Sequence, residues 1–302
     1  MINEIIYSEK DNLKLSVSII EPANEFRGVV QFSHGMCEHK ERYFDFMKYL
    51  AKNGYVCVIH DHRGHGGSVK DIKDLGDFYT EDISYIVEDL FTVTKFIKEK
   101  YPNLKITLFS HSMGTLVARN YLKKYDNEID KVILCGPPTE NKLAGFGLFL
   151  AKFLKLFYKR NKPNKLLAFM VFRSYIRKFK GKNAWICSNN DTINKYNEDP
   201  LCGFIFTTNG FINLFNLLKQ SYNYKDWDTK NCDLKILLTA GKEDPVIISE
   251  KKFNKLVYFM KRRGYKTVKS KLYDNMRHEI LNEKENKIVY KDILNFINES
   301  NK

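Results

Sequence analysis

Paired cysteine spacings are missing from this sequence of 302 residues: its six cysteines, at 37, 57, 135, 187, 202 and 232, contain no C-x-x-C. Several fall inside apolar runs, so reduced core thiols are expected, and with them a cytoplasmic location. No stretch reaches the ~18 apolar residues that a membrane-spanning helix needs. The start, Met1-Ile2-Asn3-Glu4, has an early acid and no apolar segment behind it, so no signal peptide is expected. Internal repeats and low-complexity tracts are absent. Acidic residues are absent from 141–190, where twelve Lys or Arg occur, so nearly all of the net charge of +14 sits in that one segment.

What is present is an alternation of two periodicities. Apolar β-runs lie near 13–20, 28–32, 55–60, 106–110, 131–135, 235–241 and 267–273, and helix-like segments fall at 42–52, 81–100, 115–125, 250–263 and 284–298. That order predicts a mostly parallel sheet covered by helices on both faces. The alternation stops after Pro137-Pro138. Residues 137–225 read as an inserted helical cap between two parts of the core, 1–136 and 226–302. In the cap, Phe146, Phe149, Leu150, Phe153, Leu154 and Phe157 fall on one helical stripe, with Lys152, Lys155 and Lys159 opposite. A basic helix with an aromatic face suits either packing on the core, where it could line an acyl pocket, or docking at an anionic membrane surface. A nucleic-acid partner is not expected, since the basic run lacks any recognisable binding fold.

Three segments carry chemistry. Ile106 to Gly114 reads as a β-run, a turn centred on Ser112 and the start of a helix, the order of a nucleophile elbow. Such an elbow needs small residues two before and two after the serine, here Ser110 and Gly114. Lys235 to Gly241 reads as a buried strand followed at once by Lys242-Glu243-Asp244-Pro245, where an acid belongs. His278 follows another strand, and it is the only one of seven histidines beyond residue 111. Ser112, Asp244 and His278 thus stand in the chain order of a hydrolase triad, with Asp274 the competing acid. His34-Gly35-Met36 follows a strand where a backbone donor to an oxyanion should sit, Gly35 giving the backbone its freedom. His60, His62 and His65 are similar to an H-x-H-x-D-H metal pattern. Gly64 takes the place of its aspartate, so no metal is expected there; Asp61 and Arg63 are expected to pair with each other.

Phe32-Ser33-His34-Gly35-Met36-Cys37-Glu38-His39, Asp61-His62-Arg63-Gly64-His65-Gly66-Gly67-Ser68, the Ser112 elbow, Asp199-Pro200-Leu201 and Arg277-His278-Glu279-Ile280-Leu281-Asn282-Glu283 follow in that order. Together they resemble the monoacylglycerol lipase and lysophospholipase branch of the α/β-hydrolases, of the serine aminopeptidase type, over nearly the whole chain. The resemblance implies an α/β-hydrolase fold, with an eight-stranded sheet and an inserted cap. It implies Ser112, Asp244 and His278 as triad and the N–H groups of Met36 and Met113 as oxyanion hole. Two positions depart from the pattern: Ser110 replaces a usual glycine, and Cys37 stands where a glycine is common. Cys37, Phe146, Phe149 and Phe153 are expected to contact the substrate. The implied activity is hydrolysis of a single-chain lipid ester without a cofactor; the docking reading of the cap would place it at the inner membrane surface. A serine aminopeptidase is the alternative within the fold, with Glu198 and Asp199 as its candidate carboxylates. A non-catalytic ligand-binding protein on the same scaffold is the alternative from another class.

Overall fold

Strands buried on both faces need apolar residues at every position rather than alternate ones. Four central strands meet this: β3 (Gly28–Ser33), β4 (Tyr55–His60), β5 (Ile106–His111) and β6 (Lys131–Cys135) are buried throughout. With β1 (Ile2–Tyr7), β2 (Lys14–Ile20), β7 (Lys235–Gly241) and β8 (Thr267–Tyr273) they form one sheet in the order β1-β2-β4-β3-β5-β6-β7-β8. The β1/β2 and β2/β4 pairs are antiparallel and the others parallel. The computed structural model describes residues 1–158 and 162–300. β1 has no counterpart among the apolar runs of the sequence. It is an edge strand with no buried residue, so nothing forces its composition.

Helices cover both faces. On one, α1 (Phe44–Lys52) and α9 (Asn286–Asn298) bury Phe46, Met47, Leu50, Val289 and Ile293 against Phe32, Ile59 and Phe109. On the other, α2 (Ser84–Lys100), α3 (Met113–Tyr125) and α8 (Glu250–Lys261) bury Leu90, Val117, Tyr121 and Phe253 against Val29, Leu108 and Ile236. The expected α/β-hydrolase architecture is the one observed.

Between β6 and β7 the described residues form four helices: α4 (Ala144–Leu154), α5 (Lys165–Lys178), α6 (Asn190–Glu198) and α7 (Thr208–Ser221). The phenylalanines of the α4 stripe point away from the body, while its Leu150 and Leu154 pack against the core. Phe146, Phe149 and Phe153 are 58%, 68% and 51% exposed, while Ala144, Gly147, Leu148 and Ala151 are buried. The cause is close packing on α7: a Cβ at Gly147 would lie 2.9 Å from the Phe215 ring. Small side chains let the helices approach, and the large ones are left on the outer side. Lys152 lies on the exposed side, Lys155 pairs with Glu81 at 2.5 Å, and Lys159 lies outside the described residues.

Candidate active site

Ser112 follows directly on β5 and is the residue from which α3 begins. Its φ of 49° and ψ of −118° place it in the left-handed half of backbone space, costly for a residue with a Cβ and characteristic of functional turns. The tightness has a visible reason at Gly114, where a Cβ would sit 2.1 Å from the Ser33 carbonyl oxygen; only glycine fits there. Ser112 N–H donates to Cys135 O at 2.9 Å, and Ser112 O accepts from Thr115 N–H at 2.9 Å and from its hydroxyl at 2.7 Å. The Ser112 side chain makes no capping bond to α3. Ser110 is small and also buried, its hydroxyl donating to Ile133 O at 2.8 Å. That bond adds a tie to the neighbouring strand at a position usually held by glycine.

Asp244 and His278 come from loops following β7 and β8. Asp244 Oδ2 lies 2.9 Å from His278 Nδ1, and its Oδ1 accepts from Val246 N–H at 2.8 Å. Both side chains are buried. Burial pulls the His278 imidazole down, but the Asp244 carboxylate, by charge and hydrogen bond, more than offsets this and holds it above its ordinary value. Asp274, the competing acid, is mostly exposed and pairs with Lys242 at 2.7 Å. His111 packs its ring 4.7 Å from that of His278, and burial together with His278 takes it down to about 4. Gly35 brings its loop against the elbow, since a Cβ on it would meet Ser112 Cβ at 3.2 Å and Glu38 Oε1 at 2.5 Å.

The loop 35–38 corrects one expectation. Gly35 is needed for space, whereas the left-handed residue is Cys37, with φ 56°. Cys37 is buried, and its carbonyl accepts from Gly203 N–H at 2.9 Å and Tyr196 hydroxyl at 3.0 Å. These bonds hold the turn against the segment after α6. Neither the Met36 nor the Met113 N–H has a hydrogen-bond partner among the described residues.

A buried ion network, not foreseen from the residue pattern, braces the same loop. Glu38 accepts from Gly35 N–H at 2.5 Å, Tyr43 hydroxyl at 2.7 Å and Arg42 at 2.7 Å, and Arg42 forks onto Glu279 at 2.6 Å through each of two nitrogens. Burial alone would raise the Glu38 carboxyl, but Arg42 foremost holds it at about 2. Arg277 donates to the carbonyls of Ala184 and Cys187 at 2.5 and 3.0 Å. This seats Trp185 with its ring 5.3 Å from His278, beside Tyr175 and Phe172. Being one of two tryptophans was the only signal that Trp185 carried.

The structure does not pack Phe146, Phe149 or Phe153 into this neighbourhood; they stay on the outer face of α4. Asp61 and Arg63 do not pair with each other either. Asp61 binds Lys40 Nζ at 2.8 Å and Gly67 N–H at 2.9 Å, and Arg63 binds Asp89 at 2.7 Å and Asp11 at 3.1 Å. Each finds its ion partner on another element instead. His60, His62 and His65 are fully buried, with ring nitrogens of each left without a partner. Among the described residues, the donor atoms that converge closely enough to share an ion are those of His39, Asp199 and Cys202. No helix of the described residues is long and apolar enough to cross a membrane.

Comparison with known proteins adds a family. Residues 24–285 match the family described as serine aminopeptidase, S33. The chain is 29% identical over 136 residues to the probable lysophospholipase L2 of Haemophilus influenzae, covering 43% of this chain and 41% of that protein. It is 30% identical over 128 residues to a monoacylglycerol lipase of Mycolicibacterium smegmatis, covering 41% and 43% respectively. The matched stretch therefore spans less than half the length of either relative. A carboxyl esterase of Bacillus coagulans, solved in complex with glycerol, is similar at a TM-score of 0.88 and 26% identity, covering 98% of this chain and 97% of that one.

Proposed function

The chain belongs to the serine aminopeptidase S33 family of hydrolases, and from that premise we propose that it is a serine carboxylester hydrolase acting on single-chain lipid esters, a monoacylglycerol or lysophospholipid. The reading is supported by the buried Asp244–His278 pair and by a serine, Ser112, held in a strained strand-to-helix turn. Ser112 Oγ attacks the ester carbonyl while His278 Nε2 takes its proton, and Asp244 fixes the imidazole tautomer and stabilises the imidazolium. The unpartnered N–H groups of Met36 and Met113 receive the oxyanion, each worth about 3 kcal/mol of transition-state stabilisation. His278 returns the proton to the leaving alcohol, and water then cleaves the acyl-enzyme by the same route. Cys37 lies beside the acyl carbonyl in this reading.

Residues 137–225 act as a lid whose outer face meets the lipid. Leu143, Phe146, Phe149, Phe153, Leu156 and Phe157 are all more than half exposed, and Phe169 and Ile176 of α5 add to the apolar surface. Exposed apolar surface on this scale marks an interaction site, and the surrounding lysines favour an anionic bilayer. The three phenylalanines expected to line an acyl pocket are thus assigned to docking.

The aminopeptidase alternative needs a free carboxylate near Ser112 for a substrate ammonium. The nearby carboxylates are engaged, the buried Glu38 and Glu279 by Arg42 and the half-buried Asp199 by His39, and Glu198 is exposed. The discriminating experiment is a hydrolysis panel of monoacylglycerols, lysophospholipids and aminoacyl amides. Ester turnover at least ~100-fold above amide turnover, in kcat/KM, supports the proposal; the reverse order would overturn it. Absence of turnover with every substrate, together with tight lipid binding, would favour the binding-protein alternative.

A further inference from the structure

Where the loop after β3 meets the segment after α6, three side chains of different chemistry converge. His39 Nε2 lies 2.8 Å from Asp199 Oδ2, and a ring nitrogen of His39, a carboxylate oxygen of Asp199 and Cys202 Sγ all lie within 4.8 Å of one another. We propose that His39, Asp199 and Cys202 form a site for a thiophilic divalent metal ion of the zinc class, away from the Ser112–His278 chemistry.

The donor set is the first argument. One imidazole, one carboxylate and one thiolate are the ligand types zinc takes, at about 2.0–2.3 Å, which puts tetrahedral donors roughly 3.3–3.7 Å apart. Closing from 4.8 Å to that spacing takes a side-chain adjustment of about 1 Å. The local fold supplies the second argument. A single turn, closed by Cys202 N–H to Asp199 O at 3.0 Å, presents the carboxylate and the thiol on one side. Asp199 Oδ1 is fixed by Leu201 N–H at 2.8 Å, the kind of outer partner that orients a ligating carboxylate. His39 and Cys202 are buried while the Asp199 side chain is 30% exposed, so an ion enters past Asp199 and keeps water in its fourth position.

Charge is the third argument. The groups facing Cys202 are the Glu38, Asp199 and Glu279 carboxylates against the single guanidinium of Arg42. That balance is net negative. It attracts a dication. On binding, Cys202 loses its proton to solvent and a sulfur–metal bond forms, with no change of oxidation state. The ion would tie His39, three residues beyond Met36, to the segment whose Gly203 and Tyr196 already grip the Cys37 carbonyl.

The test is optical and independent of hydrolysis. Co²⁺ titrated into the reduced full chain should produce a near-ultraviolet sulfur-to-cobalt charge-transfer band that Zn²⁺ abolishes. The band should vanish in Cys202→Ser, and persist in Cys232→Ser, which removes the one cysteine that is not buried. Asp199→Asn should weaken zinc by at least about 10–100-fold. Zinc at 100 times its wild-type Kd should raise the wild-type Tm by about 5 °C or more, and the same zinc concentration should raise it by about half as much or less in either site variant. No band in wild type, an undiminished band in Cys202→Ser, or an undiminished zinc-dependent Tm rise in both site variants would overturn the proposal.

Discussion

At Ser112 the chain accepts a backbone that a residue with a Cβ seldom adopts, and the neighbouring residues explain how. Gly114 lets α3 start against the Ser33 carbonyl, so Gly114→Ala, which would place a methyl 2.1 Å from that oxygen, should destabilise the protein by about 2–4 kcal/mol. Urea unfolding measures this, and a loss below about 0.5 kcal/mol would show that the elbow relaxes freely. At His278 the expected pH behaviour has a definite sign. The base works only as neutral imidazole, and Asp244 favours the protonated form, so the kcat/KM for a soluble ester should rise with pH through a midpoint above ~6.5. Asp244→Asn removes the carboxylate and leaves burial dominant, so the residual activity should show a lower midpoint as well as a lower plateau. A midpoint unchanged by Asp244→Asn would separate that carboxylate from the base. These residues were legible because each follows an apolar run in a fixed chain order. Cys37 was legible only as an odd substitution; that it carries the positive φ of its turn, while Gly35 serves close approach, depends on contacts with Glu38 and Gly203 that lie far apart in sequence or require coordinates to see.

Among the elements, α4 shows where periodicity informs and where it misleads. The stripe of phenylalanines is real, but a stripe does not say which way it faces. The opposite side of α4 carries Ala144, Gly147 and Ala151, and that small face packs against α7. The consequence is testable on vesicles. Replacing Phe146, Phe149 and Phe153 together by Ser should weaken association with anionic vesicles by roughly two orders of magnitude, at about 1 kcal/mol or more per ring. Lys152→Glu should weaken it by about fivefold and steepen its loss with salt less than wild type, since one lysine near such a surface contributes about 1 kcal/mol. Turnover of a short-chain soluble ester should stay within about twofold in both. Vesicle binding that survives loss of the three rings would remove α4 from the docking surface. The strands, by contrast, were readable almost to the residue, because burial on both faces leaves the central four no freedom in composition and β8 (Thr267–Tyr273) alternates; the exposed edge strand β1 escaped notice for the opposite reason.

The molecule as a whole is built around histidines that stay neutral. His34, His60, His62, His65 and His111 are all buried, and burial, first among the causes, depresses each, His60 and His65 to about 3. In the unfolded chain each takes a proton near pH 6.5, so stability is fully present above that pH and falls as the pH drops toward about 4, by up to ~1.4 kcal/mol per pH unit for each histidine. Below that range Glu38, held at about 2, begins to add its own loss. Urea midpoints should therefore be nearly level above about pH 7 and decline from about pH 6.5 to 5, and His60→Phe, which removes a ring with both nitrogens unpartnered, should make the decline shallower. A stability flat over this interval would contradict the burial of these rings. The sequence displayed this cluster as a metal-like pattern with one position spoiled; only the packing shows rings set at steep angles against His34, at 4.5 Å from His62 and 5.2 Å from His65. The central claim, that this assembly activates one serine, is tested most directly by a fluorophosphonate probe. The adduct should map by mass spectrometry to Ser112 alone and be absent from a folded Ser112→Ala variant, whereas labelling that persists in that variant, or maps to another serine, would contradict the account.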